Sequence, residues 1–232
     1  FEKIPGSPIA YWVSDRVKEI FEYSENLKTI LNPKQGSSTG NDENYVRYWH
    51  EVYFNLLGLG IKNLELSQVS GFKYFPFNKG GETRKWYGNN EKILKFDNKS
   101  YSELLELGNH LPSRNLYFKK GLTWSKISNE LNVRYDDYGF IFSSVGLKGF
   151  PKEENNLFIL SFLNSNTALI FTTIISSTLS IVSGDIEKLP VIFSKEESTK
   201  QTIDTLTQEC IDISKKEWDS RETSWDFTKN EL

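Results

Sequence analysis

Val133-Arg134-Tyr135-Asp136-Asp137-Tyr138-Gly139-Phe140-Ile141-Phe142 reads as two short strands on either side of a reversal. β-Branched and aromatic residues fill both arms, and Asp-Asp-Tyr-Gly has the side chains that bend a chain back on itself. Lys73–Phe77 and Ile93–Phe96 repeat the pattern upstream, again bounded by Gly, Asn and Pro. A helical stretch near Tyr101–Leu107 interrupts the strands. The expectation is an α+β fold built on a mixed, mainly antiparallel sheet.

The flanks read as helical. Ser7-Pro8 supplies a cap followed by proline at the first helical position. Ile9, Trp12, Val13, Val17, Ile20 and Phe21 then share one face, with a break near Ser14. Leu27–Leu31 reads as a short strand leading into the polar glycine loop Pro33–Asn41. Residues 155–184 carry no charged side chain. A membrane span needs ~20 predominantly apolar residues, whereas residues 157–183 include twelve Ser, Thr or Asn. A buried helix followed by a strand is expected there, and no membrane. Glu187–Phe193 reads as a strand or extended exit. Ser194 and Glu197 form a capping box, after which Ile203, Leu206, Cys210 and Ile213 recur at a/d spacing. That spacing makes Cys210 a small core residue. The expected division is a helical lead-in over 1–32, a sheet domain over 33–193, and a C-terminal helix and tail over 194–232.

Composition excludes several classes. The chain has 232 residues, 28 basic and 31 acidic, with one Cys and two His. One cysteine provides neither an internal disulfide nor a structural zinc site, and fits a reducing, cytoplasmic compartment. No basic, apolar signal segment follows Phe1, and the missing initiator Met suggests a fragment of a longer protein. The net charge of −3 is unevenly spread: −1 over residues 1–32, +4 over 33–150 and −6 over 151–232. The middle segment also holds 21 of the 33 aromatics. Cations that neutralise phosphates and rings that stack on bases would suit a nucleic-acid reader, while a β-rich core with solvated charges explains the same counts.

Catalytic motifs are missing. His50-Glu51 is followed by Phe54 where a zinc helix needs its second histidine. Gly58-Leu59-Gly60 lacks the third glycine of a dinucleotide loop, and no phosphate-binding G-x-x-x-x-G-K-[ST] or G-x-S-x-G elbow occurs. Asp136-Asp137 suits a metal pair or, more simply, a turn before Gly139. A metal-dependent nuclease using Asp136, Asp137 or Asp185 is therefore a minor alternative to a binding domain.

Several strings together resemble the C-terminal target-recognition region of the PglX family, the adenine-specific (N6) DNA methyltransferases of BREX phage-defence systems. They are Ile4–Trp12, the Gly36–Asn41 loop, Arg47–Val52 and, above all, Asn78-Lys79-Gly80-Gly81-Glu82-Thr83-Arg84-Lys85-Trp86-Tyr87-Gly88-Asn89. Gly121–Ser125, Gly139–Phe142, Phe162-Leu163-Asn164-Ser165, Gly184–Ile186, Leu189–Val191, Trp218–Ser220 and Glu222–Phe227 follow in order. The last two thirds are also similar to TaqI-like and type I specificity domains of restriction-modification systems. In this chain Asn41-Asp42 stands where the family tends to have Asp-Asn.

The resemblance implies a division of labour. Such enzymes hold the flipped adenine with an N-P-P-Y-type motif, and no Pro-Pro occurs in this chain. Catalysis and S-adenosylmethionine are thus expected in a domain upstream in the same parent chain, with no cofactor here. This chain would read double-stranded DNA, or else dock other defence-system proteins. Arginine bidentate to guanine is the commonest specific base contact, which singles out Arg47, Arg84, Arg114 and Arg134. Lys79-Gly80-Gly81 with Arg84-Lys85 would clamp the backbone. Lys34, Gln35, Ser38, Thr39, Asn41, Asn78 and Lys148 complete the expected polar contacts, and Trp86 and Tyr87 are candidate stacking rings.

Overall fold

The structure is a computed structural model that describes residues 4–5, 12–108, 110–152, 156–176, 178, 180–193 and 196–229. In chain order its helices are α1 (Asp15–Tyr23), α2 (Asp42–Tyr45), α3 (Leu64–Val69), α4 (Asn98–Glu106), α5 (Asn156–Leu163), α6 (Asn166–Ile175), α7 (Ser183–Glu187) and α8 (Glu197–Asp219). The strands are β1 (Glu25–Asn26), β2 (Leu31–Lys34), β3 (Val46–Tyr48), β4 (Tyr74–Asn78), β5 (Lys92–Lys95), β6 (Gly121–Ser125), β7 (Val133–Asp136), β8 (Ile141–Phe142), β9 (Gly146–Pro151) and β10 (Pro190–Val191).

They make an α+β fold with two four-stranded sheets. The first, β2-β9-β6-β7, is antiparallel throughout. The second, β3-β5-β4-β8, is antiparallel except for the parallel β4–β8 pair. Successive side chains on a strand face opposite ways, so each sheet sorts its residues into two layers. On one face of the first sheet, Leu31, Leu122, Trp124, Val133 and Leu147 meet Phe21 of α1, Ile159 and Leu160 of α5, Phe171 of α6 and Ile211 of α8 in one apolar core. Each large side chain fully buried there contributes about 2–3 kcal/mol of transfer free energy. A second core, rich in aromatics, gathers Phe75, Phe77, Leu94, Phe96, Tyr117, Phe118 and Phe142, with Phe150 entering from β9.

Several local expectations are corrected. The helix expected from Ser7-Pro8 starts outside the described residues. Within them, α1 begins at Asp15, with Ser14 as its cap accepting from the Val17 amide. Leu27–Leu31 is a 3-10 turn over Leu27–Thr29 leading into β2. The uncharged stretch forms two helices, α5 and α6, bent by 67°, because Ser165 caps a new helix on the Ala168 amide. Among the described residues no single helix is long and apolar enough to cross a membrane, although this bent pair passes by length and composition together. Ser194 lies outside the described residues, and α8 begins with Glu197 at its first position, not its third. β6 and β9 were not expected from periodicity.

The largest correction concerns α8. Its buried line is Thr207, Ile211 and Trp218, while Leu206 is 54% and Ile213 69% exposed. Packing on α5 turns the helix away from its a/d stripe.

Candidate nucleic-acid interface

β4 and β5 are antiparallel neighbours joined by residues 79–91, the segment that carries the Lys79–Asn89 motif. The long connection closes over the ends of both sheets instead of projecting into solvent. Trp86 donates its amide to the Val133 carbonyl at 2.9 Å and accepts from the Tyr135 amide at 2.8 Å, extending the first sheet beyond β7. It holds a left-handed φ of 71° to do so, a conformation that costs about 1–3 kcal/mol for a residue with a side chain. Lys85 Nζ donates to the Asn164 carbonyl at 3.0 Å. The Asn164 side chain in turn brackets the Val133 amide and carbonyl, both at 2.9 Å. Arg84 pairs with Glu217 of α8 at 2.6 Å and lies over the Trp218 ring. Burial raises the Tyr87 pKa, and its ring packs under the Lys215 ammonium. The motif therefore staples two sheets to the long helix.

Three expected contacts are inside the protein, which corrects their assignment as DNA ligands. Lys34, Lys148, Thr123 and Arg134 stand directly opposite one another across β2, β9, β6 and β7 and so share one face. That face looks toward the second sheet. Lys148 is fully buried, with its ammonium 2.8 Å from Asp136 Oδ2, and Asn78 Nδ2 of β4 donates to the same oxygen. Burial pushes the Lys148 pKa down against the attraction of Asp136. Arg134 is 2% exposed; burial pulls its pKa down to about 10, and its Nε finds no partner among the described residues. Lys148, Arg134 and Asn78 form a polar layer between sheets, out of reach of any duplex.

The Gly36–Asn41 loop is also laced inward. Gly36 is required by close approach, since a Cβ there would lie 2.0 Å from the Phe142 carbonyl oxygen. Ser38 exchanges bonds with His110. Thr39 is buried and donates to Asp42, and Asn41 caps α2 on the Asn44 amide. Arg47 spends Nη1 on the Glu43 and Val46 carbonyls. Gln35, Ser38, Asn41 and Arg114 keep exposed side chains, and Lys34 is half-buried.

Of the expected contacts, Lys79 and Arg84 meet at a cleft of about 320 Å³ between the 79–91 connection and the end of α8. Lys79, Arg84, Lys92 and Arg221 line it, beside the Gly80-Gly81 backbone and the Tyr48 ring. Lys92 and Arg221 were not singled out by sequence reasoning, and no motif marks them. The cations are answered by carboxylates: Lys79 pairs with Asp42 at 2.8 Å, and Arg84 and Arg221 share Glu217. Arg84 and then Arg221 hold Glu217 below its ordinary range despite partial burial. Burial would raise Asp42, but the Lys79 and Thr39 bonds outweigh it and keep it low. Partly exposed pairs are worth only ~0–1 kcal/mol, so an incoming phosphate can exchange for either carboxylate at small cost. Beside the cleft Tyr48 stacks on His50, and beyond it Tyr53 and Phe54 are 81% and 56% exposed. Asp136 and Asp137 hold no metal geometry: Asp136 serves Lys148 and Asn78, while Asp137 accepts from the Tyr138 amide and pairs with Lys120.

The chain, a two-sheet α+β unit with this cleft, is related over its whole length to part of the PglX-type adenine-specific methyltransferases. It is 36% identical, over an alignment of 246 residues, to the adenine-specific methyltransferase PglX of Lacticaseibacillus casei (strain Zhang). It is 35% identical, over 239 residues, to the adenine-specific methyltransferase BrxX of Escherichia coli O9:H4 (strain HS). All of this chain is covered in both, but only 20% and 18% of the two relatives, so the chain spans about a fifth of their length. No protein-family profile matches the chain.

Proposed function

We propose that this chain is the target-recognition module of an adenine-specific DNA methyltransferase of the BREX type and that it binds duplex DNA through the cleft between the 79–91 connection and α8. The observation that carries the reading is the convergence of Lys79, Arg84, Lys92 and Arg221 on the Gly80-Gly81 backbone in a single opening. Phosphate contacts of this kind fix register, and base edges are then read by neighbouring polar groups. Exposed Gln35, Ser38 and Asn41 supply such groups, and Tyr53, 81% exposed, offers a ring for stacking. Methyl transfer and S-adenosylmethionine belong to the remainder of the enzyme, which would receive the adenine once it leaves the stack.

The test is fluorescence anisotropy with pooled duplexes across a salt series. Lys79→Ala with Lys92→Ala should weaken binding and lower the salt slope by about 2, one per lost phosphate contact. Unchanged affinity and slope would remove the cleft from the DNA interface.

A further inference from the structure

The a/d stripe of α8 is turned away from the core but it is not simply a solvated face. Ile203, Leu206 and Cys210 form one wall of a groove of about 490 Å³, opposite Phe158 and Phe162 of α5, with Ile20 of α1 and Ile192 at its margins. Leu206, Ile192 and, two turns beyond Leu206 on α8, Ile213 are each more than half exposed. An apolar opening of this kind on a charged surface marks a contact site. The helices beside it carry net negative charge. Residues 196–213 hold five carboxylates and one lysine, and in α1 Arg16 and Lys18 pair with Glu19 and Asp15, so that Glu22 leaves that helix net negative. The α5 and α6 wall has no charge at all. Asp204, next to Ile203, has no cation paired to it among the described residues, and burial together with the Glu197 carboxylate raises its pKa.

We propose that this groove seats an amphipathic helix flanked by Lys or Arg, supplied by the rest of the methyltransferase polypeptide. The proposal rests on the relation to the longer enzymes, not on the DNA-binding reading. Charge selects the occupant, since a second copy of this chain would bring the same negatively charged helices, and duplex DNA or an anionic membrane would be repelled by them. Size agrees: the α8 wall from Ile203 to Cys210 spans seven residues, ~10 Å, which matches two turns of a facing helix. The groove and the cleft can be filled together, because Leu206 and Trp218 are twelve residues, ~18 Å, apart along α8.

Cys210, the chain's one cysteine, stands in the groove and reports on it. In the purified full-length methyltransferase, alkylation of Cys210 by N-ethylmaleimide, followed by peptide mass spectrometry, should be slow. Reversing the charge with Asp204→Lys and Glu209→Lys should speed it at least tenfold while leaving the far-UV circular dichroism of the enzyme unchanged, which shows that the fold is intact. Fast alkylation in the unmodified enzyme overturns the proposal and leaves the groove to a separate protein. Slow alkylation that the reversal does not change overturns it too, because the thiol is then shielded by its own helix. Protection that grows with enzyme concentration identifies a second copy instead.

Discussion

Lys148→Met separates a buried strut from a DNA contact. The ammonium is fully buried and 2.8 Å from Asp136, which is itself 2% exposed. Methionine keeps the length and most of the apolar contact of the lysine stem, so the change isolates the charge. Removing one partner of a buried pair costs about 3–5 kcal/mol, because the other charge is stranded. Here Asn78 still donates to Asp136, and Arg134 stays within electrostatic reach of it, which places the expected cost near 3 kcal/mol. For a chain of this size each kcal/mol moves the midpoint by about 2–4 °C, so thermal unfolding followed by circular dichroism should shift down by about 6–12 °C. Asp136→Leu strands the buried Arg134 guanidinium and the Asn78 amide, so adding it to Lys148→Met should recover little of the loss, but the pair should cost less than the sum of the two single changes, a coupling well outside the ~0.5 kcal/mol of independent sites. DNA affinity, measured well below both midpoints, should match the unsubstituted protein. A midpoint that does not move, together with lost DNA binding, would refute the buried layer and return Lys148 to the surface.

Other outcomes follow from the same geometry. Gly36→Ala should cost about 3 kcal/mol by overpacking, because its Cβ would sit 2.0 Å from a backbone oxygen; urea unfolding measures it. Glu217→Gln frees Arg84 and Arg221 and should tighten DNA binding at low salt while steepening the salt slope by about 1–2. Glu217 also sets an acid limit. Its folded pKa lies below the ordinary 4.5, so its stabilisation is complete above that value and is lost as pH falls through the folded one. Tryptophan fluorescence reporting the docking of α8 on Arg84 should therefore hold steady from neutral pH down to about 5 and change below 4.5, and Glu217→Gln should abolish that limb. One reading surface per chain predicts an asymmetric methylation target, and a two-fold symmetric site found by methylation mapping would contradict it.

The four strands visible as alternating aromatic and β-branched runs occur where their periodicity put them, within a residue or two of each end. β9 was invisible for a physical reason. Gly146, Gly149 and Pro151 read as breakers, yet β9 is a central strand pressed between β2 and β6, and its glycines make room for neighbours: a Cβ on Gly146 would lie 2.4 Å from the Asn78 carbonyl oxygen, and one on Gly149 would lie 2.9 Å from the Leu31 side chain. Missing β9 hid the register, and the register decides which cations are inside. Once Lys148 stands opposite Thr123 and Thr123 opposite Arg134, the row must face either water or the other sheet, and the second aromatic core shows which. The Lys79–Asn89 motif raised a different difficulty. Its basic and glycine residues suit a phosphate clamp, but Arg84, Lys85 and Trp86 are bound to α8, Asn164 and β7. Residue type alone does not separate a cation that holds a loop from one that holds a ligand; only its partner does. By that criterion the unspent ammonium is Lys92, which lies against the Tyr48 ring and forms no ion pair among the described residues. Lys92→Ala should therefore reduce DNA affinity without the loss of stability expected for Arg84→Ala, which breaks both the Glu217 pair and the Trp218 contact. Equal destabilisation by the two substitutions would mean that Lys92 too is a strut.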